Sequence, residues 1–487
     1  MKNLFSTCFA LLTCYFVPVN NYSQNKASYS KEIEAQIKQI EENILPWVII
    51  NGSSPITLKE RMAFYGVNGL SIAVIKDHQM IWAKGYGFAD KSEKRTVNEN
   101  TLFQAASISK SLNAVGVLKL VQDNKINLDA DINTLLKSWK FPYDSVSKGK
   151  KITIANLLSH TGGTTVHGFP GYTYKEAIPK TTDILNGKAP ANTEAVRSEA
   201  EPGLQFSYSG GGTTITQLIT SDITGQTYSE YMWKNVLKPM GMTNSSYDQP
   251  PLDSKKKLLA TGYTTEGIEI EGKYHIYPEQ AAAGLWTTPT DLSKYIIELQ
   301  LSYKGKSNKV LSQKMVHTMF TPYLPKHEAA LGVFISKEGS EYYFIHGGSN
   351  EGFRCQYLGS IESGNGVIVM LNSDNGGIMD EIINSVANVY NWKDYYKPVE
   401  KTVVNVPETI LETYIGDYQS EETGFSIVKE DGSLWMKFPW AKQKMYFTSN
   451  DEFFRYENKN TPKFTKDMEG KVNGIQFSTT FFATKTK

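Results

Sequence analysis

Apolar positions change their spacing several times along the chain, and each change predicts an element. Ile33, Ile37, Ile40 and Ile44 recur at helical spacing between Glu and Lys, which predicts an amphipathic helix ending at Pro46. Residues 70–75 and 79–86 are β-rich runs on either side of Asp77-His78 and read as a hairpin. From 107 to 121 the pattern is apolar almost all round, with Ala114, Val115, Val117, Leu118, Leu120 and Val121, as expected of a helix buried on every side. Residues 148–291 mix short helices with Gly/Thr/Ser loops, among them Gly162-Gly163 and Gly210-Gly211-Gly212. Strand-like runs return at 331–337, 342–346, 354–359 and 367–371, followed by a helix with Met379, Ile382, Ile383 and Val386 on its apolar positions. Early strands, central helices and late strands predict one sheet whose two ends meet, with a helical insertion between them.

A boundary falls at residues 397–407, where Lys, Pro and Val alternate without a periodic face. Beyond it, Phe425/Ile427 and Leu434/Met436/Phe438 alternate about Asp431-Gly432. Residues 408–487 therefore read as a small antiparallel β domain, and with no histidine or cysteine it is assigned no chemistry. The 487-residue length suits such a large domain (24–396) plus a small one.

The first residues add a destination. Met1-Lys2-Asn3, an apolar run over 4–19 and a polar exit through Asn20-Asn21-Tyr22-Ser23 spell a secretory signal over 1–23, so the protein is expected to be exported, periplasmic or secreted. No later stretch approaches the length a bilayer requires. Cys8 and Cys14 lie inside the signal. Cys14 is a candidate for lipid attachment, although Leu12-Thr13 lacks the small residue such processing takes. Cys355 is left alone in a strand-like run, where it reads as a packed thiol. Composition narrows the partners: 51 Lys+Arg against 50 Asp+Glu gives no field to steer a polyanion, which argues against nucleic acid. The scattered histidines have no ligand spacing, so neither a metal nor another cofactor is expected.

Candidate chemistry rests on three short motifs in order: Ser107-Ile108-Ser109-Lys110, Tyr208-Ser209-Gly210 and His346-Gly347-Gly348. Ser-x-x-Lys recurs at 145–148, 254–257 and 426–429, but only Ser107 opens the strongly apolar helix. There the Ser hydroxyl and backbone N–H face the positive end of the helix dipole, and Lys110 at i+3 shares its face. Burial disfavours the charged amine and suits it to act as a base near neutral pH. Without chemistry, the same pair is a helix cap and a snorkelling lysine. Tyr208, followed by small residues, can bring its phenol close to a ligand and relay a proton to a leaving group. His346 ends an aromatic strand. Gly347 and Gly348 let substrate lie along the strand edge, and a backbone N–H, that of Ser349, completes an oxyanion hole. His160-Thr161-Gly162 has the same spelling but follows a helix end, where its Gly pair suits a C-cap, so His346 is preferred for the site.

Together these motifs resemble the serine β-lactamase-related family, which includes class C β-lactamases, D-alanyl-D-alanine carboxypeptidases, D-amino-acid peptidases and esterases. Residues 101–106, 157–163 and 284–289 match in the expected order. The resemblance implies an α/β (α+β) fold with a mainly antiparallel sheet flanked by helices, a helical subdomain beside the site, and a C-terminal lipocalin-like β-barrel. It also implies acyl transfer through Ser107, Lys110 and Tyr208 on a peptide or ester small molecule, a cell-wall peptide among the candidates, with Lys110 or Tyr208 as the base. His346, Gly348, Ser349 and Gly210 would bind substrate and the oxyanion. Two departures matter. Class C β-lactamases carry Asn where this chain has Gly210, and Lys where it has His346. A neutral imidazole anchors a carboxylate poorly, so peptidase or esterase action is expected ahead of β-lactamase action; a non-catalytic penicillin- or peptidoglycan-binding module is the alternative from another class.

Overall fold

The computed structural model describes residues 29–421, 423–438 and 441–486, so the signal segment with Cys8 and Cys14 lies outside the described residues. The predicted hairpin is formed by β1 (Gly69–Lys76) and β2 (Gln79–Asp90). Asp77 and His78 both take left-handed backbone, with φ of 53° and 61°, as a two-residue turn matched to strand twist requires. Five more strands complete the sheet: β3 (Arg95–Thr96), β4 (Phe334–Glu338), β5 (Glu341–Asn350), β6 (Phe353–Ser360) and β7 (Gly366–Leu371), in the order β3-β2-β1-β7-β6-β5-β4. Every pairing is antiparallel, and β1 meets β7 with Leu70 opposite Leu371 and Val74 opposite Val367. The two ends of the domain do meet in one sheet.

Two-sided burial explains why β1 reads as a continuous apolar run. Leu70, Ile72 and Val74 face a core shared with Ile37, Ile40, Ile378 and Ile382, whereas Ala73 and Ile75 face one shared with Leu112, Leu118, Ile296 and Leu299. Helices Lys31–Glu42 and Ile378–Val389 thus cover one face, and Ser109–Gln122 and Pro289–Tyr303 the other. The first helix ends four residues short of Pro46, though Ile44 is still buried.

The expected linker is not featureless: Val399–Lys401 pairs in parallel with Val48–Ile50. Beyond it, seven antiparallel strands form a second sheet, ordered Ala441–Lys444, Ser433–Phe438, Gly424–Glu430, Gly416–Gln419, Phe482–Lys485, Val472–Gln476, Lys463–Lys466. It curls around Tyr414, Ile427, Met436 and Ile475 as a half-barrel. Its first and last strands are not hydrogen-bonded to each other among the described residues. The chain between them turns aside into a separate hairpin, Tyr446–Phe447 with Phe453–Phe454, and Phe447 and Phe453 join the core.

Candidate active site

Ser107 lies in a 3-10 turn, Ala106–Ile108, immediately before the Ser109–Gln122 helix rather than inside it. It is the one partly exposed residue between 101 and 118. Ala106 takes a φ of 47°, a left-handed conformation that costs a non-glycine residue on the order of 1 kcal/mol and persists only where its surroundings hold it. Those surroundings come from two sides. Ala105 N–H donates to Leu285 O (2.8 Å), and Leu285 N–H donates to Ser109 Oγ (3.0 Å). On the other side the Cys355 thiol donates to Ala105 O at 3.0 Å, so Cys355 is a buried structural thiol that burial keeps protonated. A Cβ at Gly348 would fall 2.3 Å from Ala105 O and 2.5 Å from Cys355 Sγ, so only glycine lets β5 approach the turn that carries Ser107.

Lys110 is only 4% exposed, and its Nζ lies 3.0 Å from Ser107 Oγ and 2.8 Å from Ala282 O. The same nitrogen stands 5.0 Å from the centroid of the Tyr208 ring. The motif after Tyr208 explains its placement. Ser209 caps the Gly210–Thr224 helix by accepting from Gly212 N–H (2.8 Å), and its hydroxyl is tied to Thr164 Oγ1 (2.9 Å) and Thr165 O (3.0 Å). Gly210 is buried under the Phe169 ring, with an added Cβ 2.8 Å from Phe169 Cε2.

His346 is buried beside this group. Burial and the nearby Lys110 charge hold it down at about 4, so it is neutral at physiological pH. Its Nδ1 lies 2.6 Å from Gly347 O, which makes that nitrogen the donor; its Nε2 has no partner among the described residues. Ser349 is exposed and faces Arg354 on β6. The structure therefore gathers Ser107, Lys110, Tyr208, His346 and Gly348 in one place, while Gly210 opens the helix after Tyr208 and faces Phe169.

The sequence reading missed His160. The helix before it, Ile154–Leu158, is C-capped by Ser159, so Gly162-Gly163 is not its C-cap. Gly163 instead allows close approach, since its Cβ would meet Ala200 O at 2.3 Å. His160 is buried with its ring 4.3 Å from that of Tyr208, and Nδ1 accepts from Ser209 N–H at 3.2 Å. Burial first, and then the charge of Lys110, hold it well below the usual histidine range. The shared His-x-Gly spelling was the signal that could have found it. The Ser-x-x-Lys sequences at 145–148, 254–257 and 426–429 sit in polar 3-10 turns (Ser145–Ser147, Asp253–Leu258) and on the strand Gly424–Glu430, away from this group.

The family model described as Beta-lactamase matches residues 57–388, which takes in every one of these residues. The chain belongs to the beta-lactamase family. Protein flp of Staphylococcus aureus (strain N315) is 26% identical over 337 residues, covering 68% of this chain and 64% of that protein, so the chain spans just under two thirds of that relative's length. The putative penicillin-binding protein PbpX of Bacillus subtilis (strain 168) is 24% identical over 381 residues, with 76% and 88% covered. Among solved structures, the octameric penicillin-binding protein homologue from Pyrococcus abyssi has the same fold, with a TM-score of 0.59 at 22% identity over 88% of this chain and 98% of that one. SurE, solved with D-Leu, matches at a TM-score of 0.56 and 17% identity over 93% and 99%. Such coverage runs past the family match into the C-terminal sheet.

Proposed function

We propose that this protein is an exported serine hydrolase that forms an acyl-enzyme on Ser107 and cleaves an amide or ester. The substrate classes it fits are a D-alanyl peptide, a D-amino-acid peptide or a short ester; the D-Leu bound in the SurE structure is one reason to include D-residues. The observation that carries this reading is the 3.0 Å contact of Lys110 Nζ with Ser107 Oγ, made while Ala282 O engages the same amine. In its base role the amine keeps one N–H on Ala282 O and turns its lone pair to the Ser107 hydroxyl. The proton moves from Oγ to Nζ as the Oγ–C bond forms. It then passes by way of Tyr208 to the leaving nitrogen or oxygen as that bond to carbon breaks. Backbone N–H groups of Ser107 and Ser349 stabilise the oxyanion; water then attacks the acyl carbon as Lys110 and Tyr208 take its proton and return it to Ser107 Oγ while the ester bond breaks. The direct contact with Ser107 supports Lys110 rather than Tyr208 as the base.

His346 shapes the substrate preference. A neutral imidazole offers no cation to a carboxylate at this position, which favours uncharged esters and amides over penicillins and cephalosporins. A fluorophosphonate probe should label the wild type and not Ser107→Ala, and that variant should lose at least about 10³-fold in kcat/KM. Of a D-alanyl-D-alanine peptide, a short-chain aryl ester and a chromogenic cephalosporin, the cephalosporin should turn over most slowly. Equal labelling of both proteins, or of neither, would leave Ser107 with no catalytic role and favour a binding module.

A further inference from the structure

Beside the site stands an aromatic wall that the proposed chemistry does not use. The rings of Phe206 and His327 stack at 4.3 Å and 28°, and Phe334 lies edge-on to Phe206 at 6.1 Å. The wall joins the site twice: Phe334 is 5.4 Å from His346, and Phe206 is 6.1 Å from His160, which lies against Tyr208. Phe206, His327 and Phe334 are each half-buried, and none belongs to the hydrophobic cores of the domain. Three contiguous rings that stay partly open to solvent serve packing poorly. They suit a ligand ring that would stack on them, a contact worth about 0.5–1.5 kcal/mol beyond the area it buries. The two histidines that join the wall to the site are held neutral by burial, so this side of the site is apolar and carries no fixed charge from them.

Which part of the substrate lies there follows from the path of the proton. Tyr208 hands it to the leaving group, so the leaving group rests beside Tyr208, on the side where His160 and His346 lead to the wall. We propose that Phe206, His327 and Phe334 form the leaving-group subsite and select amides and esters whose leaving group carries an aromatic or large apolar, uncharged side chain. This inference rests on the hydrolase reading of Ser107.

The test holds the acyl group constant and changes only what departs. Benzyl and ethyl esters of N-acetyl-D-alanine have leaving alcohols of similar acidity but different apolar size. Wild-type enzyme should show kcat/KM about tenfold or more higher for the benzyl ester, the scale of discrimination an apolar pocket supplies. The benzyl-to-ethyl ratio should fall to within about twofold in Phe334→Ala and in His327→Ala, while Phe334→Leu retains part of it. Thermal melts establish that each variant is folded, and His327, on a surface loop, guards against a general defect from the strand substitution. A wild-type ratio near one, or a ratio unchanged in both alanine variants, overturns the subsite while leaving Ser107 labelling intact. Failure to cleave either ester, with Ser107 unlabelled, overturns the hydrolase reading and the subsite with it.

Discussion

His160 and His346 flank Lys110, and burial keeps both imidazoles uncharged. That has a consequence for stability. In the unfolded chain a histidine titrates near 6.5, whereas His346 in the folded protein waits until about 4. Between those values the unfolded state binds more protons, so the stability present above pH 6.5 is lost as the pH falls toward 4. His346 should contribute a slope of about 1.4 kcal/mol per pH unit in that window, and His160 acts in the same direction. Thermal melts from pH 7 to pH 4 should show the melting temperature falling, with the slope visibly reduced in His346→Gln. An identical slope in that variant would mean that His346 is protonated without penalty in the folded state. The sequence indicated His346 because an aromatic strand leads into it and glycines follow. It hid His160 because burial and ring contact, which make that residue part of the site, depend on Phe206, Tyr208 and Ser209 in a segment distant along the chain.

The turn that carries Ser107 and strand β5 work as one element. Ala106 holds its left-handed backbone because Cys355 and Leu285 engage Ala105 from opposite sides, with Gly348 lying flat against it. Gly348→Ala would drive a methyl into Ala105 O and Cys355 Sγ, contacts that backbone and a buried thiol cannot yield to cheaply. Overpacking of this kind costs about 1–3 kcal/mol. A displacement of the turn near 1 Å would cost about 10²-fold in rate. Gly347→Ala is the control: its nearest neighbour, Cys355 O, stands 3.7 Å from the added carbon. Steady-state ester hydrolysis by the two variants should therefore differ by an order of magnitude or more, and equal rates would show that the turn tolerates movement. At this scale much was legible in advance. β1, β5, β6 and β7 came within a few residues of their strand-like runs, because two-sided burial leaves a long apolar signature. The 3-10 turn at Ser107 was not, since no local propensity asks an alanine for positive φ; it is imposed by strand and loop neighbours distant in sequence. The half-barrel was likewise seen only as alternation, which fixes faces but not whether the last strand closes on the first.

Across the whole molecule, one buried polar cluster ties the C-terminal sheet to the beta-lactamase-family domain. Arg61, on the helix Leu58–Tyr65, donates through Nε to Glu381 Oε2 at 2.6 Å and also pairs through Nη2 with Oε1. The Tyr65 hydroxyl lies 2.7 Å from Glu381 Oε1 and 3.1 Å from Glu457 Oε1, the latter from the C-terminal domain, while Tyr456 covers the Arg61 guanidinium at 4.6 Å. A phenol has one proton for two carboxyls. Burial lifts Glu457 to about 7, so below that pH it is protonated and can donate to the Tyr65 oxygen, which donates in turn to Glu381. A carboxyl raised in the folded state contributes stability that is complete below about 4.5 and is lost as the pH rises through 7. Glu381, Tyr65, Tyr456, Arg61 and Arg455 are the ionisable groups around it; the Arg455 charge and the Tyr65 hydroxyl moderate the rise without abolishing it, and the Glu381 charge adds to it. The domain junction should accordingly loosen above neutral pH. Limited proteolysis between residues 397 and 407 should accelerate from pH 6 to pH 8.5 in the wild type, after correction for protease activity on an unfolded substrate. Glu457→Gln keeps a donor at every pH, so its cleavage rate should stay flat, whereas Tyr65→Phe should be cut readily throughout because it loses about 1–3 kcal/mol of buried hydrogen bonding. A Glu457→Gln protein that loosens as the wild type does would place the titrating group elsewhere in the junction.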